Sequence, residues 1–154
     1  MNFGGITMSY IVNRNDRLNV FVEDLTHDGS GVAKVDGYPL FIPGALPGEE
    51  AEIQVMKTMK RYGFAKLLKV TKESPDRVEP PCHVFWECGG CQLQHLSYEA
   101  QLVQKRKTVR DAMERIGKLP HVPVHPVNGM DNPWRYRNKS QIPFSERDGE
   151  VVSG

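Results

Sequence analysis

Between Arg17 and Leu25 the chain alternates, with Leu18, Val20 and Val22, joined by Leu25, set against Asn19, Phe21 and Glu23. A two-residue period of this kind places one face of a strand in a core and the other in water. His27-Asp28-Gly29-Ser30-Gly31 interrupts it as a turn, because an aspartate and two glycines supply the local hydrogen bonds and positive backbone angles that a tight reversal needs. Val32 to Val35 predict a short strand, Asp36-Gly37 a two-residue hairpin turn, and Tyr38 to Ile42 the returning strand. After the loop Pro43 to Gly48 the alternation resumes from Glu49 to Lys57, with Ala51, Ile53 and Val55 inward. A basic turn then leads into a fifth strand from Tyr62 to Val70. Five short strands with glycine-rich turns and no helix predict a small closed or nearly closed barrel, since closure removes the exposed edges of antiparallel strands.

Beyond the barrel the pattern changes. Lys72 to Pro81 is polar and holds three prolines, which fix their own backbone and disfavour helix before them, so a short stiff linker is expected. From Tyr98 the apolar positions Tyr98, Leu102, Val109, Met113 and Ile116 follow a helical spacing. Ser97 is placed to cap the start, Glu99 favours the first turn, and Gly117 with Pro120 ends the run. This stripe is expected to be core. An extended segment from His121 to Pro126 follows, then a strand from Trp134 to Phe144, the turn Asp148-Gly149, and a further strand beginning at Val151 with no partner sheet in view, so the chain is expected to be a fragment of something longer. The expected divisions are an N-terminal extension at 1–11, the barrel at 12–73, the linker at 74–81, a cysteine loop at 82–96, and a helix leading into a truncated α+β central domain at 97–154. The fold class is mainly β with one helix.

Composition changes this picture little: 39% apolar and 25% charged residues are ordinary for a soluble protein. No apolar run approaches the roughly 20 residues of a membrane span, and Met1 to Tyr10 has neither a basic leader nor an apolar signal core. With an odd number of cysteines besides, a cytoplasmic monomer without a membrane partner is expected. Charge changes it more. The net charge of +1 conceals an acidic stretch from Glu23 to Glu52, and then Lys57, Lys60, Arg61, Lys66, Lys69 and Lys72 nearly unopposed. Lys105, Arg106, Lys107, Arg110, Arg115 and Lys118 form a second basic group, and Arg135, Arg137 and Lys139 a third. A single basic run is ordinarily a solvated face; three in so short a chain point toward a polyanion.

The three cysteines all lie in one short stretch, as Cys82, Cys88 and Cys91, with Gly89-Gly90 between the last two. At this spacing three thiolates on one loop can converge on a metal, and soft sulfur selects zinc or an iron-sulfur cluster. A fourth ligand is needed. His95 would complete a closed Cys3His zinc site; a cysteine beyond Gly154 would instead complete a four-iron, four-sulfur cluster. Three unliganded thiols are the bland alternative.

Two resemblances bear on these alternatives. Leu25-Thr26-His27-Asp28-Gly29-Ser30-Gly31-Val32-Ala33, followed by Phe41-Ile42-Pro43-Gly44-Ala45-Leu46-Pro47-Gly48-Glu49, is similar to the TRAM domain, a five-stranded OB-like RNA-binding barrel attached to RNA-modifying enzymes. It covers about residues 12 to 73 and implies RNA contact through a basic, aromatic-bearing face. Lys57, Lys60, Arg61, Tyr62 and Phe64 are the residues able to neutralise phosphates and stack on bases. Cys82, Cys88-Gly89-Gly90-Cys91, Gln92-Leu93-Gln94-His95-Leu96, Tyr98, Gln101, Lys105, Arg106-Lys107 and Tyr136-Arg137-Asn138-Lys139 resemble the RNA uracil-C5 methyltransferase family, above all its ribosomal RNA members. That resemblance implies that the three cysteines ligate a four-iron, four-sulfur cluster and that 23S rRNA is the partner; Lys105, Arg106 and Lys107, a solvated surface or an RNA contact on the helix, join Arg137 and Lys139 as candidate RNA-binding residues. It also implies a catalytic cysteine, a carboxylate base and an S-adenosylmethionine site in a C-terminal domain that this chain lacks. The chain is therefore expected to bind RNA without methyl transfer and to hold no catalytic residue. A fragment of a transfer RNA uracil-C5 methyltransferase, and a stand-alone RNA-binding adaptor with a Cys3His zinc site, are the alternatives.

Overall fold

The computed structural model describes residues 12–136, 138, 139 and 141–153, and divides the chain into two compact units, Met1–Pro75 and Asp76–Gly154. In the first, β1 (Arg17–Leu25), β2 (Ser30–Val35), β3 (Tyr38–Pro43), β4 (Glu50–Thr58) and β5 (Gly63–Lys72) close into a barrel in the order β1-β2-β3-β5-β4. The expected barrel is present, and each strand falls within two residues of its expected limits. One feature differs: the seam between β3 and β5 is parallel, pairing Leu40 with Gly63 and Phe41 with Phe64. A hairpin cannot make that pairing, and alternation alone does not reveal it.

The inward positions are those the period assigns. Val22, Ala33, Leu40, Ile42, Ala51, Ile53 and Val55 are fully buried, whereas Phe21 is outward and exposed. Two glycines are required by close approach. A methyl group on Gly31 would lie 2.7 Å from the Ala45 carbonyl, and one on Gly63 would lie 2.9 Å from both Leu40 Cδ2 and the Lys57 carbonyl. The acidic stretch hides a core residue. Glu49 is fully buried, where its carboxylate accepts from the Leu46 amide at 2.9 Å and the Ser74 amide at 3.4 Å. Ser74, expected in the linker, is thus held against the base of the barrel.

The second unit begins by folding back on itself. Arg77 bridges to Leu96, the Val78 amide donates to the His95 carbonyl at 3.0 Å, and the Ser97 amide to the Asp76 carbonyl at 2.8 Å. The expected linker therefore supplies one arm of a clasp that closes the cysteine loop. Within the loop a short helix, α1 (Phe85–Cys88), adds to the one helix expected, and Gly89 ends it in the left-handed conformation at φ 67°. The expected helix is α2 (Tyr98–Arg115), capped by Ser97, whose hydroxyl accepts from the Ala100 amide. The left-handed residue after it is Lys118 at φ 55°, not Gly117.

Two expectations for this unit are corrected. The apolar stripe of α2 is not core: none of the helix is buried, because only its first turns are covered. There Leu102 and Tyr98 pack near Gly129, and the Met130 amide donates to the Tyr98 hydroxyl at 2.8 Å, while Val109, Met113 and Ile116 stay exposed. The expected strand from Trp134 to Phe144 is not formed; the expected turn at Asp148-Gly149 and the strand after it are present, and that strand does have a partner, as the hairpin β6 (Phe144–Arg147) with β7 (Glu150–Ser153). The described residues of 134–143 form no strand. No described helix is long and apolar enough to cross a membrane.

Because Gly63 sits in the parallel seam with no room for a Cβ, Gly63→Ala is expected to lower the unfolding free energy by about 1–3 kcal/mol in urea titrations. An unchanged midpoint and slope would show that the seam gives way freely.

Candidate nucleic-acid interface and cysteine loop

The parallel seam determines what the outer surface of the barrel carries. Leu40 and Ile42 point inward, so Phe41 points outward, and its register partner Phe64 does the same. Phe41, Tyr62 and Phe64 form a mutual cluster with ring centroids 5.6, 5.8 and 5.6 Å apart, all tilted or edge-to-face. Such contacts hold the rings in place without stacking them on one another. Tyr62 and Phe64 remain exposed. Lys57 is the register partner of Phe64 on the other side, so one row runs Phe41, Phe64, Lys57 across three strands.

Lys60 and Arg61 occupy the tip of the turn between β4 and β5, where the Met59 amide donates to the Tyr62 carbonyl at 2.8 Å. Tyr38 fixes this turn from the neighbouring strand. Its hydroxyl donates to the Met59 carbonyl at 2.8 Å, accepts from the Met59 amide at 3.1 Å, and lies against the Tyr62 carbonyl. The structure thus brings Lys57, Lys60, Arg61, Tyr62 and Phe64 to one region and adds two residues that sequence reasoning missed, Phe41 as a third ring and Tyr38 as the brace. The outward position of Phe41 between two inward aliphatic residues was the available signal; nothing in the sequence marks the bonds of Tyr38.

The cysteine loop is built differently. The Cys82 carbonyl accepts from the Phe85 amide at 3.0 Å and the Cys88 amide donates to the Val84 carbonyl at 2.9 Å, so Cys82 precedes α1 and Cys88 is its last residue. Cys88 and Cys91 are exposed and Cys82 is half-buried. Among the described residues no three His, Cys, Asp or Glu side chains are grouped so as to hold a metal ion. The three thiols are accordingly not gathered, with or without His95. His95 is 1% exposed and packs its ring against Phe85 and Trp86, at centroid distances of 5.4 and 5.3 Å. In donor chemistry the loop fits a soft metal centre, with three accessible or half-accessible thiols and no hard oxygen ligand required; in geometry it is not drawn together around one.

Gln101 fastens this loop to α2, its side-chain amide donating to the Leu93 and Leu96 carbonyls at 3.0 and 2.9 Å. The basic face of α2 is partly engaged within the chain. Arg106 donates through Nε to the Val124 carbonyl at 2.8 Å, and Lys107 pairs with Asp111 at 2.8 Å. The hydrogen bond from Lys107 holds the Asp111 carboxyl below the usual aspartate range. Lys105 and Lys139 are exposed, and Arg137 lies outside the described residues.

Residues 12–68 match the TRAM domain family. The match takes in the barrel from the residues before β1 to Leu68 in β5. Over its wider length the chain is 60% identical to an uncharacterized RNA methyltransferase of Halalkalibacterium halodurans, across 143 residues that make up 93% of this chain and 31% of the relative. A relative of the same description from Listeria monocytogenes is 54% identical over 144 residues, 94% of this chain and 32% of its own. The chain thus spans about a third of the length of these relatives. A solved structure, the Pyrococcus abyssi tRNA (uracil-54, C5)-methyltransferase in complex with S-adenosyl-L-homocysteine, is 30% identical and covers 62% of this chain and 21% of its own, with a TM-score of 0.43. The TRAM domain and the relatives support the resemblance read from the sequence, and the likeness to the relatives extends past the TRAM domain through the cysteine loop and α2.

Proposed function

We propose that this chain is the RNA-gripping N-terminal part of an S-adenosylmethionine-dependent uracil-C5 methyltransferase that forms 5-methyluridine in 23S rRNA. The observation that carries this reading is the TRAM barrel's row of outward rings, Phe41, Phe64 and neighbouring Tyr62, edged by Lys57 and by Lys60 and Arg61 on a braced turn. Stacking on rings is tolerant of base identity, and cations along the rim neutralise phosphates, which suits a single-stranded segment. The high identity to proteins described as RNA methyltransferases supplies the enzymatic context. The methyl-donor site and the catalytic groups belong, in this reading, to the two thirds of the relatives that this chain does not span, so the chain alone binds RNA without transferring a methyl group.

Cys82, Cys88 and Cys91 are the proposed ligands of a four-iron, four-sulfur cluster. When bound, such a cluster cross-links the loop through iron–thiolate bonds. The chain's own contribution is the clasp at residues 76–78 and 95–97, together with Gln101, which together hold the ends of the loop.

Two measurements test this reading. In RNA affinity against salt, changing Lys57, Lys60 and Arg61 together to alanine is expected to weaken binding and flatten the log–log slope by about 2, near 0.7 for each phosphate contact to a single strand; unchanged affinity and slope would remove the barrel rim from the interface. For the loop, protein purified without oxygen is expected to carry iron and acid-labile sulfide that Cys88→Ala loses. Colourless protein holding zinc in a manner dependent on His95 would contradict the cluster.

A further inference from the structure

Trp86 is left without a role by everything above, and it is poorly explained as packing. It lies on α1 with 58% of its surface exposed, although both rings it touches are buried. Phe85 meets it at a centroid distance of 4.6 Å and an interplanar angle of 71°, and His95 at 5.3 Å and 56°. Neither ring lies parallel to the indole, so neither stacks on it. The supports are themselves fixed. Phe85 is 7% exposed, and the His95 carbonyl is held by the Val78 amide, next to Leu96, whose carbonyl accepts from Gln101. The result is a flat, amphipathic side chain whose mounting is already ordered, which lowers the conformational cost of binding.

Trp86 is the one exposed Phe, Tyr or Trp ring of the loop; the other exposed apolar side chains beside it are the small aliphatic Val84 and Val78. After Trp86 the loop continues through Glu87, Cys88, Gly89, Gly90, Cys91 and Gln92, all exposed and either small or polar. A protein partner ordinarily needs roughly 800 Å² of surface from each side, whereas a nucleobase needs only one exposed ring. The arrangement also repeats, on a second element, the tilted support given to the exposed rings of the barrel.

We infer that Trp86 is a second stacking site, taking one unpaired nucleobase of bound RNA independently of base identity. The inference rests on the RNA-binding reading above.

Trp134 is the only other tryptophan, so Trp134→Phe makes the emission of Trp86 directly observable. A single-stranded RNA oligonucleotide is titrated into this variant while retention on a filter reports binding separately. The expected result is quenching of Trp86 with the same midpoint as retention, and an affinity about tenfold weaker in Trp86→Ala with the salt slope unchanged, Trp86→Phe falling between. RNA retained with equal affinity by Trp86→Ala, with the emission of the Trp134→Phe variant unmoved, overturns the inference, leaves the barrel reading intact and turns attention to a protein surface as the occupant of the indole. No retention of RNA by the unaltered chain overturns both readings.

Discussion

The parallel pairing of β3 with β5 is the constraint on which the barrel and its candidate interface both depend. It joins strands separated by β4 in the sequence, so it forms only when the chain returns, and it removes the last pair of open edges. Its register sets Leu40 against Gly63 and Phe41 against Phe64. One step along the seam therefore alternates between core and surface: the first pair leaves no space for a Cβ, and the second presents two rings outward. A slip of one residue would exchange these faces, burying the rings and exposing Leu40. Tyr38 guards against that slip by bonding its hydroxyl to the turn that leads into β5.

The second unit is organised by backbone closure rather than by a large core. Residues 76–78 pair with 95–97, Gln101 holds two carbonyls of the same loop, and Phe85, His95 and Leu96 are buried, the first two with their rings in contact. The charges of α2 fall into place around it. Arg106 holds the segment at Val124 and Lys107 is answered by Asp111, so two of the helix's candidate RNA contacts are bonded within the chain. Surface charge read as a polyanion contact can thus serve the fold first, and the braced turn carrying Lys60 and Arg61 is the stronger candidate.

Much of the barrel was legible in the sequence because strand burial has a two-residue period and the turns carry their own chemistry: Asp36-Gly37 and Gly29 mark reversals wherever they occur. What escaped was non-local. Glu49 reads as one more acid in an acidic stretch, because its burial depends on the amide of the distant Ser74 joining that of nearby Leu46. Phe41 was seen as part of a motif but not as a ring on the surface, since its partners Tyr62 and Phe64 lie across the parallel seam. The α2 stripe was read as core because periodicity reports amphipathicity, not whether a covering layer is present. Cysteine spacing identifies a loop with metal-ligand chemistry, and spacing alone carries no information on whether the three thiols are grouped in the folded chain.

The central claim is that the seam of β3 and β5 builds the surface that meets RNA. Ultraviolet cross-linking of a uridine-containing single strand to the chain, with the adducts located by mass spectrometry, tests it most directly. Adducts on Phe41, Tyr62 or Phe64 are the expected result. Adducts confined to the opposite side of the barrel around the exposed Phe21, with none on those three rings, would contradict it.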